Sequence, residues 1–176
     1  MNKRELFISI LLHALLLTGV YVFQGMIFPF MRFNGLVPLL LPIASTGIAL
    51  YEGRDTGGIA GLFAGILCDI SFNQPAGVFT VFLTLAGLVV GTLADTVILR
   101  GFVTYYIACA AVLVASVFVQ MFPLMVLPDY SVSLLPLIPV ALQQTIYSLI
   151  FAFPIWFFIR ELGKRADRVS SSGKMY

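Results

Sequence analysis

Two aspartates lie inside otherwise apolar stretches of this sequence: Asp69 in GGIAGLFAGILCDISF and Asp95 in VFLTLAGLVVGTLAD. A single histidine, His13, sits among leucines in LFISILLHALLLTGV. Paired intramembrane carboxylates could support aspartyl-protease chemistry, which needs the two groups about 3 Å apart. Here the depths inferred for Asp69 and Asp95 differ by most of a bilayer leaflet, which argues against that pairing. One histidine cannot build a multi-histidine metal cluster, and a Ser-His-Asp arrangement would have to form around His13. The phosphate-binding loop and the HExxH zinc motif are both missing. Cys68 and Cys109 lie in apolar runs without metal-ligand or disulfide spacing, and read as small buried hydrophobes. The expectation is a protein with no catalytic residue, no cofactor and no metal. A transport pathway lined with intramembrane charges is not visible either.

The elements that must position these residues are set by composition. Of 176 residues, 60% are hydrophobic and 10% charged, with a mean hydropathy of +1.04. Soluble domains carry about a quarter charged residues, so the solvent for most of this chain is lipid. We expect one integral membrane domain over 1–176, an all-α bundle of about six transmembrane helices. With a net charge of only +2, membrane lipid and not nucleic acid is the expected environment. The first apolar run starts like a signal peptide after Lys3 and Arg4 but lacks a small-x-small cleavage site, so it reads as a retained helix.

Charges, prolines and glycines divide the apolar runs into spans near 6–23, 36–51, 57–72, 78–99, 102–122 and 137–159, with a basic tail over 160–176. The second and third runs fall short of the ~20 residues needed to cross the hydrocarbon, so they should extend into their flanks or sit where the bilayer is thin. The short polar link from Glu52 to Thr56 makes them antiparallel neighbours. With the N-terminus inside, nine Lys and Arg fall on inner segments and only Arg32 on an outer one. This is a strong positive-inside bias that places both termini in the cytoplasm. The outer segments QGMIFPFMRFNG (24–35) and PLMVLPDYSVSLLP (123–136) are apolar enough to lie in the interface or against a partner. Pro154 should kink the sixth helix. Trp156, Phe157 and Phe158 precede Arg160 where an inner aromatic girdle belongs.

Gly57, Gly61, Gly65 and Asp69 recur every four residues, as do Gly87, Gly91 and Asp95. On a helix this spacing makes one slowly drifting stripe, and small residues there let a second helix approach closely in lipid. The two stretches share the pattern AGL-x-x-G-x-L-x-D, at Ala60–Asp69 and Ala86–Asp95. Either the segment is duplicated, and therefore inverted in the membrane, or a small apolar alphabet matches itself by chance. Asp69 falls roughly 18 Å along its span, beyond the midplane. An isolated carboxylate there costs roughly 2.5 to 3.5 kcal/mol on insertion scales. Three roles compete for it: a hydrogen bond locking helix packing, a contact with a partner helix, or a proton or ligand site. His13, Gln143, Gln144 and Tyr147 are its candidate partners. Asp95, near Arg100 and the inner boundary, reads as a solvated helix-end group. The Glu52, Arg54 and Asp55 cluster reads as a solvated inner turn.

NGLVPLLLP (34–42) and GGIAGLFAGILCDISFNQPAG (57–77), followed by a span ending in a charged loop, resemble the MreD family of rod shape-determining membrane proteins. The likeness spans the middle third to half of the chain. It implies a non-enzymatic scaffold of the complex that builds lateral peptidoglycan in the bacterial cytoplasmic membrane. The implied partners are a bitopic MreC-like protein and, through it, a RodA-type glycosyltransferase, a class B penicillin-binding transpeptidase and actin-like MreB. By the same likeness Gly61, Gly65 and Asp69 would serve the helix core or a partner surface. The rival reading is the substrate-binding subunit of an energy-coupling-factor vitamin transporter, also a six-helix protein and similar to MreD in fold. Against it, the first helix has only one alanine and one glycine, Ala14 and Gly19, and no alanine run at four-residue spacing.

Overall fold

The structure, a computed structural model, describes residues 3–27, 37–72, 77–96, 101–126 and 137–172. These form six helices: α1 (Lys3–Ile27), α2 (Leu40–Glu52), α3 (Arg54–Phe72), α4 (Val78–Thr96), α5 (Phe102–Val126) and α6 (Leu137–Ser172). The protein is an all-α membrane bundle. Val78–Thr96, Phe102–Gln120 and Leu142–Glu161 are each long and apolar enough to cross a bilayer, and Ile10–Met26 and Leu40–Glu52 are shorter apolar helices.

At the centre stands α2. Every residue from Leu40 to Leu50 is buried, and α2 packs against each of the other five helices. Its thirteen residues reach only about 20 Å, against a hydrocarbon thickness of about 30 Å. The short length follows from its flanks. Val37 precedes Pro38 and is pushed toward extended backbone, so the helix starts at Leu40, later than the run of apolar letters suggests. Pro42 falls in the first turn, where its missing N–H breaks no intrahelical bond. The far end stops at Gly53, whose φ of +89° is a left-handed conformation that favours glycine. Gly53 alone separates α2 from α3. The polar stretch expected to be a loop, from Arg54 onward, is thus already the first turn of α3.

Around α2 run α1, α3, α4, α5 and α6. One core cluster joins Leu17 of α1, Leu41, Ala44 and Ile48 of α2, Ala60, Ala64 and Cys68 of α3, and Phe79 and Leu83 of α4. A second joins Leu39, Ile43 and Leu50 to Tyr105, Cys109, Leu113 and Val117 of α5 and Ala152 of α6. The outward faces keep an apolar stripe, as with Val81, Leu85, Val89 and Leu93 of α4, which is what a lipid-facing helix presents. Thr84, Thr92, Thr96, Ser116 and Ser148 donate their hydroxyls to carbonyls one turn back. These bonds satisfy hydroxyls where water is absent.

Further boundaries differ from the sequence expectation. First, α6 continues as helix to Ser172, so most of the basic tail extends the last helix beyond its apolar span, which ends at Glu161. Second, α1 runs to Ile27 and takes in the start of the first outer segment. Residues 28–36 and 127–136, the rest of both outer segments, lie outside the described residues. Pro154 lies inside α6.

Candidate functional site

The glycine stripe is the seam between α3 and α4, the most intimate helix pair in the molecule. A Cβ on Gly61 would overlap the carbonyl oxygen of Leu83, and one on Gly87 would overlap that of Gly57. A Cβ on Gly65 would overlap Thr80 Cα and lie 2.7 Å from the Phe79 oxygen. On Gly91 it would lie 2.6 Å from Arg54 Cα and 2.7 Å from the Gly53 oxygen. On Gly57 it would lie 2.9 Å from the Gly87 oxygen and 2.7 Å from Ala49 Cβ of α2. Backbone therefore meets backbone along the whole seam, which only glycine allows.

Asp69 sits at the end of α3, beside the start of α4. Its carboxylate accepts the backbone N–H groups of Gly77, Phe79 and Thr80 at 3.0, 2.9 and 3.2 Å, and the Thr80 hydroxyl at 2.6 Å. Those N–H groups belong to Gly77, just before α4, and to the first turn of α4, which has no intrahelical acceptors to offer them. A carboxylate there also meets the positive end of the helix dipole. Asp69 is thus an N-cap supplied by the neighbouring helix. That geometry is the packing lock among the three roles weighed for it; its partners are on 77–80 and not on His13, Gln143, Gln144 or Tyr147. Gly77, with φ +102°, turns the chain so that its N–H reaches back.

Asp95 does the converse. At the far end of α4, it accepts the N–H of Arg54, the first residue of α3, at 3.1 Å. Its carboxylate also covers Gly53, where a Cβ would lie 2.9 Å from Oδ1. Asp95 is exposed, as a helix-end residue should be, but it also caps α3; Arg100 lies outside the described residues.

These relations coincide under one offset, that from Ala60 to Ala86. It carries Asp69 to Asp95 and Arg54 to Thr80, so one cap maps onto the other. It carries Gly61 and its contact Leu83 O onto Gly87 and its contact Gly57 O in reverse. It carries Gly65 against Phe79 and Thr80 onto Gly91 against Gly53 and Arg54. The repeated letters are therefore a repeated geometry: α3 and α4 are related by a local two-fold axis, antiparallel, each capping the other.

The remaining polar candidates fall elsewhere. His13, 8% exposed, approaches Glu52 at the end of α2, Nε2 to Oε1 3.8 Å. Gln144 is buried and donates to the Val37 carbonyl at 2.9 Å, whereas Gln143 on the preceding position is exposed. Sequence reasoning missed three anchors of α2. Leu39 N–H donates to Ser148 at 3.0 Å, Leu40 N–H to Gln24 Oε1 at 3.3 Å, and Trp156 Nε1 to the Tyr51 hydroxyl at 2.7 Å. Gln24 was readable as an amide in an apolar run, but its target, a buried helix start, was not. Cys68 and Cys109 are buried free thiols. Among the described residues no group of His, Cys, Asp and Glu is placed to hold a metal.

Two apolar grooves open sideways from the bundle. One, of about 450 Å³, lies between α1 and α6 with Leu40 at its floor and Gly19, Phe23, Pro154 and Phe158 on its walls. The other, of about 640 Å³, lies between α4 and α5 with Leu50 at its floor and Ala86, Ala108, Ala111 and Ala115 on its walls. No family model, curated protein or solved structure matches this chain.

Proposed function

We propose that this protein is a non-enzymatic membrane scaffold of the MreD type, serving the complex that elongates the bacterial cell wall and so supports cell shape. The observation that carries the reading is the use made of its intramembrane carboxylates. Both Asp69 and Asp95 are engaged as helix caps within one helix pair, so the most reactive-looking residues build a rigid surface. The resemblance of 34–42 and 57–77 supplies the biological setting, and the small-residue walls of the α4–α5 groove suit a helical partner in lipid.

In this reading all six helices cross the bacterial cytoplasmic membrane with both termini in the cytoplasm, following the distribution of Lys and Arg. The direct partner is a bitopic MreC-like protein, and the synthases and actin-like MreB join through it. The test is a mild-detergent pull-down of the tagged protein from its native membrane, read by mass spectrometry. Recovery of an MreC-like protein with a RodA-type glycosyltransferase and a class B transpeptidase is the expected result. Recovery of an ATPase with its membrane coupling subunit would instead assign the chain to vitamin uptake.

A further inference from the structure

The lipid-facing apolar residues do not cover the same height on every side of the bundle. On α3 they run from Ile59 to Ile70 and on α4 from Val81 to Leu93, about 16–18 Å along the helix axes. On α5 they run from Phe102 to Phe118 and on α6 from Leu142 to Phe158, about 24 Å in each case. The uncharged helix lengths divide the same way. Helix α5 carries no charge in its 25 residues, and α6 carries none from Leu137 to Ile159, so each offers roughly 35 Å. The uncharged run of α4 ends at Ala94, before Asp95, and offers about 25 Å. On α3, the exposed Asp55 and Ser71 stand about 24 Å apart, and Asp69 between them is buried in its cap. The hydrocarbon core of a bilayer is about 30 Å thick.

The α3–α4 pair is held at this short length. Asp95 accepts the Arg54 N–H, which brings Arg54, Asp55 and Asp95 to one level, with Glu52 just across Gly53. Charges gathered at one level mark where hydrocarbon ends on that side. At the opposite end Asp69 caps the start of α4, and the glycine seam fixes the register between the two ends. An overlong helix fits a bilayer by tilting, but a short one cannot stretch. It is matched by local thinning, by snorkelling of flanking side chains or by oligomerisation. Snorkelling needs a long apolar stem. Of the exposed polar residues at the ends of this pair, Asp55, Ser71, Asp95 and Thr96 are short and only Arg54 is long.

We infer that the protein carries a lipid annulus of two thicknesses, with short-chain phospholipid in a locally thinned bilayer against α3 and α4, and phospholipid of ordinary chain length against α5 and α6. The α3–α4 pair sets the thinning because both its ends are locked, whereas α5 and α6 meet an ordinary bilayer by tilting. The inference needs only the helical membrane fold and does not rest on the cell-wall reading.

The experiment is quenching of tryptophan fluorescence by brominated phosphatidylcholine in vesicles of dimyristoleoyl, dipalmitoleoyl, dioleoyl or dierucoyl lipid. Trp156→Phe is the background, since Trp156 is the single tryptophan. Ile66→Trp and Leu85→Trp report from α3 and α4, and Val114→Trp and Ile150→Trp from α5 and α6; all four positions are exposed. Competition between brominated and plain lipid gives a relative binding constant at each reporter. The α3 and α4 reporters should bind the dimyristoleoyl or dipalmitoleoyl lipid most tightly and the dierucoyl lipid least. The α5 and α6 reporters should have their optimum at the dioleoyl lipid. A common optimum at all four reporters would overturn the inference. So would α3 and α4 reporters that no brominated lipid quenches while the α5 and α6 reporters respond, because protein and not lipid would then cover that face.

Discussion

Gly61 and Gly19 are both helical glycines in apolar runs, and the structure requires them to respond oppositely to alanine. A Cβ on Gly61 would overlap the Leu83 carbonyl oxygen, with Leu83 C at 2.8 Å and Thr84 Cα at 3.1 Å. All three atoms are backbone, so no side-chain rotation relieves the clash and the helices must separate. Ordinary C···O contacts lie at about 3.3–3.6 Å, so the seam would open by on the order of 1 Å. A gap of that size forfeits roughly a quarter to a half of each dispersion contact along it, and overpacking of this kind costs about 1–3 kcal/mol. Alanine recovers up to about 1 kcal/mol of helix propensity. Gly61→Ala should therefore destabilise by about 1–2 kcal/mol, and Gly61→Leu should prevent the α3–α4 pair from forming. Gly19→Ala meets open space and should gain up to about 1 kcal/mol from propensity alone. Unfolding of the detergent-solubilised protein, followed by the fluorescence of its single tryptophan, Trp156, measures both. The reasoning is refuted if Gly61→Ala is as stable as Gly19→Ala.

Further predictions rest on single contacts. Asp69→Ala leaves three N–H donors and one hydroxyl of the α4 start without an acceptor, and should destabilise by about 2–4 kcal/mol. Asp69→Asn should lose less, since it keeps a carbonyl acceptor, and amide hydrogen exchange should quicken at 77–80 in both variants. Asp95→Ala, at an exposed cap with a backbone donor at 3.1 Å, should cost roughly 0.5–1 kcal/mol, near the low end for N-caps, and quicken exchange at Arg54. Gly47→Ala would drive into the Ile159 side chain, so its cost should shrink in an Ile159→Ala background, giving a double-mutant coupling above about 0.5 kcal/mol. Tyr51→Phe removes the acceptor of the Trp156 indole N–H. It should cost about 1 kcal/mol and shift the Trp156 emission, whereas an unchanged spectrum would count against that bond.

Composition alone establishes that the chain is a helical membrane bundle, because a chain with so few charges has no other solvent than lipid and no other way to satisfy its backbone there. Spacing alone marks Gly57, Gly61, Gly65, Gly87 and Gly91 as close-approach positions, since a four-residue period is a property of one helix and needs no partner to be seen. Neither says which helix approaches. The repeat at Ala60 and Ala86 does not say that its two copies pack on one another, which only the contacts of Gly61 with Leu83 and Gly87 with Gly57 show. Asp69 likewise could be seen to need a donor, but its donors are backbone groups, which carry no letter in the sequence. The central burial of α2 belongs to the same class, because its letters are no more apolar than those of α5 and only packing distinguishes a helix facing lipid from one facing protein. A carboxylate that caps another helix is specified by where two helix ends meet, and only the folded chain brings those ends together.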